Sequence, residues 1–110
     1  MLVACQGEGG GGGTASLETA SRSLQPADSA LAETYNRSCR SCHTVAATGA
    51  PLTGDAKAWA VRYEKGMGTL VDNVINGYGG MPALGLCMDC SADQFEALID
   101  FMATPPEVSP

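Results

Sequence analysis

The sequence predicts an all-α domain of about four short helices, preceded by a flexible leader. Three observations carry that prediction. Apolar residues recur at helical spacing in four stretches between Ser29 and Ala103, and no stretch alternates as a strand would. Gly and Pro residues separate those stretches. Of the 110 residues, only about 80 look foldable, which suits one small domain that needs a staple or a cofactor to complete its core.

The leader, residues 1–28, opens with Leu2-Val3-Ala4-Cys5, a pattern resembling the lipobox at which bacterial lipoproteins are cut and acylated. The charged and apolar parts of such a signal do not precede it here, so the expectation is a trimmed chain or an earlier start. Several acyl chains on Cys5 would make a stable membrane anchor where one chain would not. Gly7 to Gly13 and the Thr, Ala and Ser residues that follow predict a flexible linker with a reach of roughly 25 Å. The plainer expectation is a disordered tail with a chance cysteine.

From Ser29 the pattern turns helical, with Leu31 and Tyr35 four apart. Thr48-Gly49-Ala50-Pro51-Leu52 predicts a loop. Asp55 is placed to cap a helix over 56–65 in which Trp59 and Tyr63 share a face, and Gly66 ends it. A third helix opens at Thr69, buries Leu70, Val71, Val74 and Ile75, and stops at Gly77. Residues 77–90 read as irregular. Ser91-Ala92-Asp93-Gln94 is a capping-box pattern, and Phe95, Leu98, Ile99 and Met102 continue as the apolar stripe of a last helix that Pro105 and Pro106 terminate.

The first helix runs into Cys39-Arg40-Ser41-Cys42-His43. Two thiols three residues apart face the same way on a helical turn and can reach the two vinyl groups on one edge of a porphyrin. The histidine that follows falls beneath the iron. This is the attachment pattern of a covalent c-type haem. A zinc knuckle or redox dithiol that happens to precede a histidine is the competing reading. Aromatic residues are few (Tyr35, Trp59, Tyr63, Tyr78, Phe95 and Phe101), so a haem would also supply missing apolar bulk.

With His43 the single histidine, a second axial imidazole is excluded. Four methionines within the chain remain. Met102 lies on the last helix's apolar stripe, Met67 sits at a helix junction, and Met88 stands between two cysteines. Met81 follows Gly79-Gly80 and precedes Pro82, whose ring favours an extended backbone. A loop of that kind can lay a thioether over the distal face, so Met81 is the expected ligand and Met88 the runner-up. A neutral thioether raises the potential, and six-coordinate iron leaves no open position for a substrate. His43 should donate its other ring nitrogen to an acceptor, and the Pro51 carbonyl is the natural one.

Cys87-Met88-Asp89-Cys90 is a second pair. It could be a disulfide that staples the methionine-bearing segment to the last helix, a redox dithiol, or half of a four-thiolate site with Cys39 and Cys42. A redox dithiol normally follows a strand, and none is predicted. The four-thiolate site leaves His43, Pro51 and the Gly-Gly-Met-Pro loop unexplained. The disulfide is therefore expected, which also suits an oxidising compartment.

Taken together, residues 30–104 resemble the class I cytochromes c, and among them the cytochrome c5 group. The resemblance rests on Cys39 to His43, Gly49-Ala50-Pro51, Gly54-Asp55, Trp59, Arg62, Ile75-Asn76-Gly77, Gly80-Met81-Pro82 and the cysteine pair before the last helix. It implies thioether bonds at Cys39 and Cys42, axial ligands His43 and Met81, a Cys87–Cys90 disulfide, and Trp59 and Arg62 near the haem propionates. By the residues alone Trp59 is equally a core residue. The group commonly has a glycine where this chain has Leu31, so the crossing of first and last helices should use Ala30 or Ala32, or open slightly, with Phe101 as its partner on the last helix.

The expected function is electron transport: a non-enzymatic monohaem carrier in the bacterial periplasm, tethered through Cys5, exchanging single electrons with redox protein partners as a monomer or weak dimer. The haem head is expected over 29–110. The formal charge of −6 argues against nucleic acid and suits basic docking partners. No stretch is long enough to span a bilayer. A haem-based sensor or enzyme with a labile Met81 is the second reading, and a four-cysteine structural metal domain the third.

Overall fold

The computed structural model describes residues 9–105, with side chains from residue 16 onward. Helix α1 runs over Gly9–Ser23, α2 over Ser29–Ser38, α3 over Arg40–His43, α4 over Ala56–Tyr63, α5 over Met67–Asn76 and α6 over Ala92–Ala103. Two 3-10 turns, Ala46–Thr48 and Ala83–Leu86, complete the described elements. The class is all-α, as expected. The four anticipated helices are α2, α4, α5 and α6, and the additional two are the leader helix and the short turn that carries the Cys-x-x-Cys-His motif.

Local signals account for the helix boundaries. Asp28 accepts the Leu31 amide at the start of α2, 2.8 Å away. Asp55 accepts the Ala58 amide at the start of α4. At α6 the box is complete: Ser91 Oγ accepts the Gln94 amide, and Gln94 Oε1 accepts the Ser91 amide at 2.7 Å. Each such bond satisfies a donor that a helix start leaves without an internal partner. Helix α5 begins at Met67, two residues before the expected Thr69, because Gly66 adopts a φ of +90° and lets the chain turn directly between α4 and α5. It ends at Gly77, where a Cβ would lie 3.2 Å from both Ala83 N and Met81 O. Any other residue there would crowd the backbone of the next loop and be strained at a φ of +88°.

The core joins Tyr35, Trp59, Leu70, Val71, Val74, Cys87, Phe95, Leu98, Ile99 and Met102. Helix α2 meets α6 edge-on, with the Tyr35 and Phe101 rings 4.9 Å apart at 78°, a favoured aromatic geometry. Ala30 is exposed, and Leu31 itself packs against the core, so Ala30 does not make the crossing. The Tyr35 hydroxyl pairs with Thr53 Oγ1 at 2.9 Å, and the Gly54 amide donates to the Met102 carbonyl at 2.7 Å. These two bonds fasten the loop after the motif to both crossing helices.

The leader differs from expectation. Cys5 lies outside the described residues, but residues 9–23 form a helix where composition predicts a flexible linker. The reach calculated for a random coil therefore does not apply to them. Ser21 is fully buried, and the segment through Gln25 is held by hydrogen bonds to residues 36–46. Ala, Leu, Glu and Arg within 15–22 are good helix formers, and the docking contacts are polar. A reading that looks for apolar periodicity does not register them.

Candidate haem-binding site

Cys39 is the joint between α2 and α3. Its amide closes the last turn of α2 onto Tyr35 O, and its carbonyl accepts the amides of Cys42 and His43. This single turn puts both cysteines and the histidine on the wall of one cavity of about 290 Å³, together with Pro51, Arg62, Tyr78 and Met81. A second cavity of about 280 Å³ shares His43, Pro51, Arg62, Tyr78 and Met81 and extends to Trp59, Leu70 and Val74. Each lies near the lower end of the size range of small-molecule sites, and their shared walls make them neighbouring parts of one crevice.

His43 is held tightly. Its side chain is buried, and Nδ1 lies 2.7 Å from the Pro51 carbonyl. A carbonyl oxygen can only accept, so Nδ1 carries the proton and Nε2 keeps its lone pair. Burial pushes the imidazole pKa down, opposed by the Pro51 bond and reinforced by the Arg62 charge. The ring is thus neutral, the form that ligates metal. Trp59 stacks near it, with centroids 5.7 Å apart and planes at 27°. The main-chain carbonyl of His43 accepts the Thr53 amide at 2.7 Å and Ser21 Oγ at 3.1 Å.

Met81 is partly buried on a tight turn. Its amide donates to Tyr78 O at 2.8 Å and its carbonyl accepts the Tyr78 amide at 3.1 Å, with Gly79-Gly80 at the tip. Three residues beyond it, Leu84, Gly85 and Leu86 all adopt positive φ, at 61°, 52° and 65°. Two leucines in the left-handed region cost roughly 1–2 kcal/mol each. Gly85 lies close enough to the Met81 side chain that a Cβ there would sit 3.7 Å from its Cε. Met88 is 71 % exposed and lines neither part of the crevice.

Several other expected residues fall on the crevice in different ways. Trp59 donates its one N–H to the Leu52 carbonyl at 3.0 Å, so this indole serves the core and the loop beneath His43. Arg62 lines both cavities while one Nη donates to Ala58 O on its own helix. Lys65, one turn further, also lines the crevice and sits 5.0 Å over the Tyr78 ring. Its spacing from Arg62 was the available clue. Thr53 and Ser21, which hold the His43 peptide, carry no motif that marks them.

The four cysteines do not converge. Cys87 and Cys90 are bonded to each other, whereas Cys39 and Cys42 are free thiols. Among the described residues, the cluster of metal-capable side chains is Cys87, Asp89 and Cys90, without Cys39 or Cys42. That corrects the four-thiolate alternative. Burial pushes the Cys39 thiol up to about 11, with the neighbouring Cys42 adding to the effect. A neutral thiol in an apolar wall, a second thiol one turn away and an imidazole with a free Nε2 form a donor set that fits a covalently held haem.

Comparison with known proteins agrees. A family model described as "Cytochrome C oxidase, cbb3-type, subunit III" matches residues 26–102. Cytochrome c5 of Azotobacter vinelandii is 36 % identical over 67 residues, covering 59 % of this chain and 81 % of that protein. The chain belongs to the class I cytochromes c. Cytochrome c5 of Ectopseudomonas mendocina is likewise 36 % identical, over 77 % of its length. Cytochrome c-555 of Chlorobaculum tepidum is 50 % identical over 56 residues, 47 % of this chain and 52 % of that protein. The chain thus spans about half of that relative, and the match to the c-555 of Chlorobaculum thiosulfatiphilum covers 65 % of its length. The cofactor of this cytochrome is one covalent haem c. Among the described residues no helix is long and apolar enough to cross a membrane.

Proposed function

We propose that this cytochrome is a periplasmic single-electron carrier with His/Met axial ligation, working between redox protein partners. The observation that carries the reading is the shared crevice: His43, with its Nε2 lone pair free, and Met81 line both of its parts. When bound, the haem supplies an iron that cycles between ferric and ferrous states. The protein's own residues do the rest. Cys39 and Cys42 would hold the porphyrin edge as thioethers, Pro51 fixes the His43 tautomer, and Met81 would supply a thioether to the iron in place of small ligands. Arg62 brings positive charge to the crevice, suited to the haem propionates, with Trp59 beside it.

The remaining parts of the reading concern delivery. The haem head spans 29–110, and Cys5 is the residue to which acyl chains would be attached. A Cys87–Cys90 disulfide fits an oxidising compartment. The net charge of −6 favours encounter with basic partner surfaces, and the carrier acts as a monomer or weak dimer.

The test is to mature the chain in a host with haem-attachment machinery. A red protein that keeps its haem on denaturation, and whose intact mass shows one haem and a cystine, supports the reading. Colourless protein that binds zinc stoichiometrically overturns it. Binding of carbon monoxide by the reduced native protein at low concentration would replace the closed Met81 position with a sensor's labile one. Acyl chains on Cys5 would appear in the same mass measurement.

A further inference from the structure

Helix α1 lies upstream of residue 26, where the family match begins, yet it is docked on the haem-attachment segment. Three contacts make the docking, and they follow one order along both segments. The Glu18 carboxylate accepts the Ala46 amide at 2.6 Å. Ser21 Oγ donates to His43 O at 3.1 Å. The Arg22 carbonyl accepts from Arg40 at 2.6 Å. Residues 18, 21 and 22 share one helix face, and their partners at 46, 43 and 40 run in the opposite chain direction. Together they hold one face of α1 against the segment from Arg40 to Ala46.

The middle contact differs in kind from the other two. Ser21 is 0 % exposed, and it reaches the peptide carbonyl of His43 itself. The second lone pair of that oxygen is taken by the Thr53 amide, while the imidazole is directed by Pro51, two residues earlier on the same loop. One loop therefore grips His43 by ring and peptide from one side, and Ser21 closes the other side. We propose that Ser21 is a positioning residue for His43, and that α1 is a brace on the proximal side of the haem, outside the family domain. The brace fixes the peptide from which the imidazole projects, and through it the orientation in which Nε2 is offered to the iron. This rests on the reading of His43 as the proximal ligand.

The experiment uses the full-length holoprotein and compares Ser21→Ala, Ser21→Thr and Glu18→Ala. The readouts are the midpoint potential, the paramagnetically shifted NMR signals of the His43 ring, and the melting temperature. Ser21→Ala should change the ferric/ferrous equilibrium constant by about threefold, or about 28 mV at 59 mV per tenfold for one electron, and should move the His43 signals. Ser21→Thr, which keeps the hydroxyl, should restore both. Glu18→Ala should lower the melting temperature and leave the potential in place. A Ser21→Ala protein that melts earlier with unchanged potential and His43 signals would reduce α1 to a stabiliser and overturn the proposal. Should Ser21→Ala fail to accumulate, hydrogen exchange on the wild type decides. Slow exchange of the Ala46 amide, shielded by Glu18, supports the docked brace, and exchange at the rate of a free amide refutes it. Absence of shifted His43 ring signals in the wild type would instead refute the ligand reading itself.

Discussion

The two sides of the crevice are built on opposite plans. On the His43 side, a fully buried serine, a threonine amide, a proline carbonyl and a stacked tryptophan all converge on one residue. On the Met81 side, a two-glycine turn closes on itself, three left-handed residues follow, and a cystine ties off the segment. The first is over-determined by long-range contacts. The second depends on local geometry. Because three separate stretches of chain converge on His43, removing any one of them should be felt there. The methionine loop should respond to changes within its own ten residues.

The largest effect expected from breaking the first plan is Trp59→Ala. It removes a buried ring stacked near His43 and leaves the Leu52 carbonyl without its donor. The cost should be about 3–5 kcal/mol, read by chemical denaturation of the holoprotein. Trp59→Phe keeps most of the ring and should recover more than half of that loss. A small effect of Trp59→Ala would show that the His43 side is less interdependent than its contacts suggest.

On the second plan, replacing Cys87 and Cys90 together by alanine opens a loop of four residues. Short-loop closure contributes about 2 kcal/mol in the chain-entropy account. If the Met81 loop depends on local ties, the double variant should also admit carbon monoxide to the reduced protein more readily than the wild type. Equal resistance to carbon monoxide would mean that the Tyr78–Met81 turn holds the methionine unaided.

These contrasts explain what could be read from the chain. Asp55, Ser91 and Gln94 act within three residues of themselves, so their helix starts were visible as pattern. The motif at Cys39–His43 and the Pro51 carbonyl lie within one loop of each other, and the acceptor could be named. Ser21 is 22 positions from His43 and looks like any serine in a small-residue leader, so the brace was invisible and a linker was expected. Leu84 and Leu86 at positive φ were equally hidden, since leucine carries no signature for that conformation. Local chemistry was legible, and polar contacts made at long range were not.

Tyr35→Phe tests the first plan more gently. The phenol is bonded to Thr53 Oγ1, whose own amide holds the His43 carbonyl, so its loss should cost about 1 kcal/mol. Burial, the largest influence, raises the Tyr35 pKa against the lowering effect of the Thr53 bond. The stability this contributes is full below the unfolded tyrosine value of about 10 and is lost as pH rises past it. Tyr63 is raised too, by burial and by its bond to Asp100, and acts in the same direction. Tyr35→Phe should therefore flatten part of the alkaline loss of stability, and an unchanged profile would mean that Tyr35 does not feel its burial.

The smallest expected effect has the opposite sign. Leu86 holds a φ of 65° while 61 % exposed, so it combines left-handed strain with incomplete burial of its side chain. Leu86→Gly relieves about 1–2 kcal/mol of strain but gives the unfolded chain extra freedom, at a cost of about 0.5–1 kcal/mol. The balance favours the variant by about 0.5 kcal/mol, a small rise in melting temperature. If the strain is instead what presses the loop onto Met81, the same variant should gain stability and lose resistance to carbon monoxide. Gained stability with unchanged resistance would show that the Met81 loop carries strain that placing the methionine does not need. The coupled outcome would mean that the left-handed turn holds the sixth position shut.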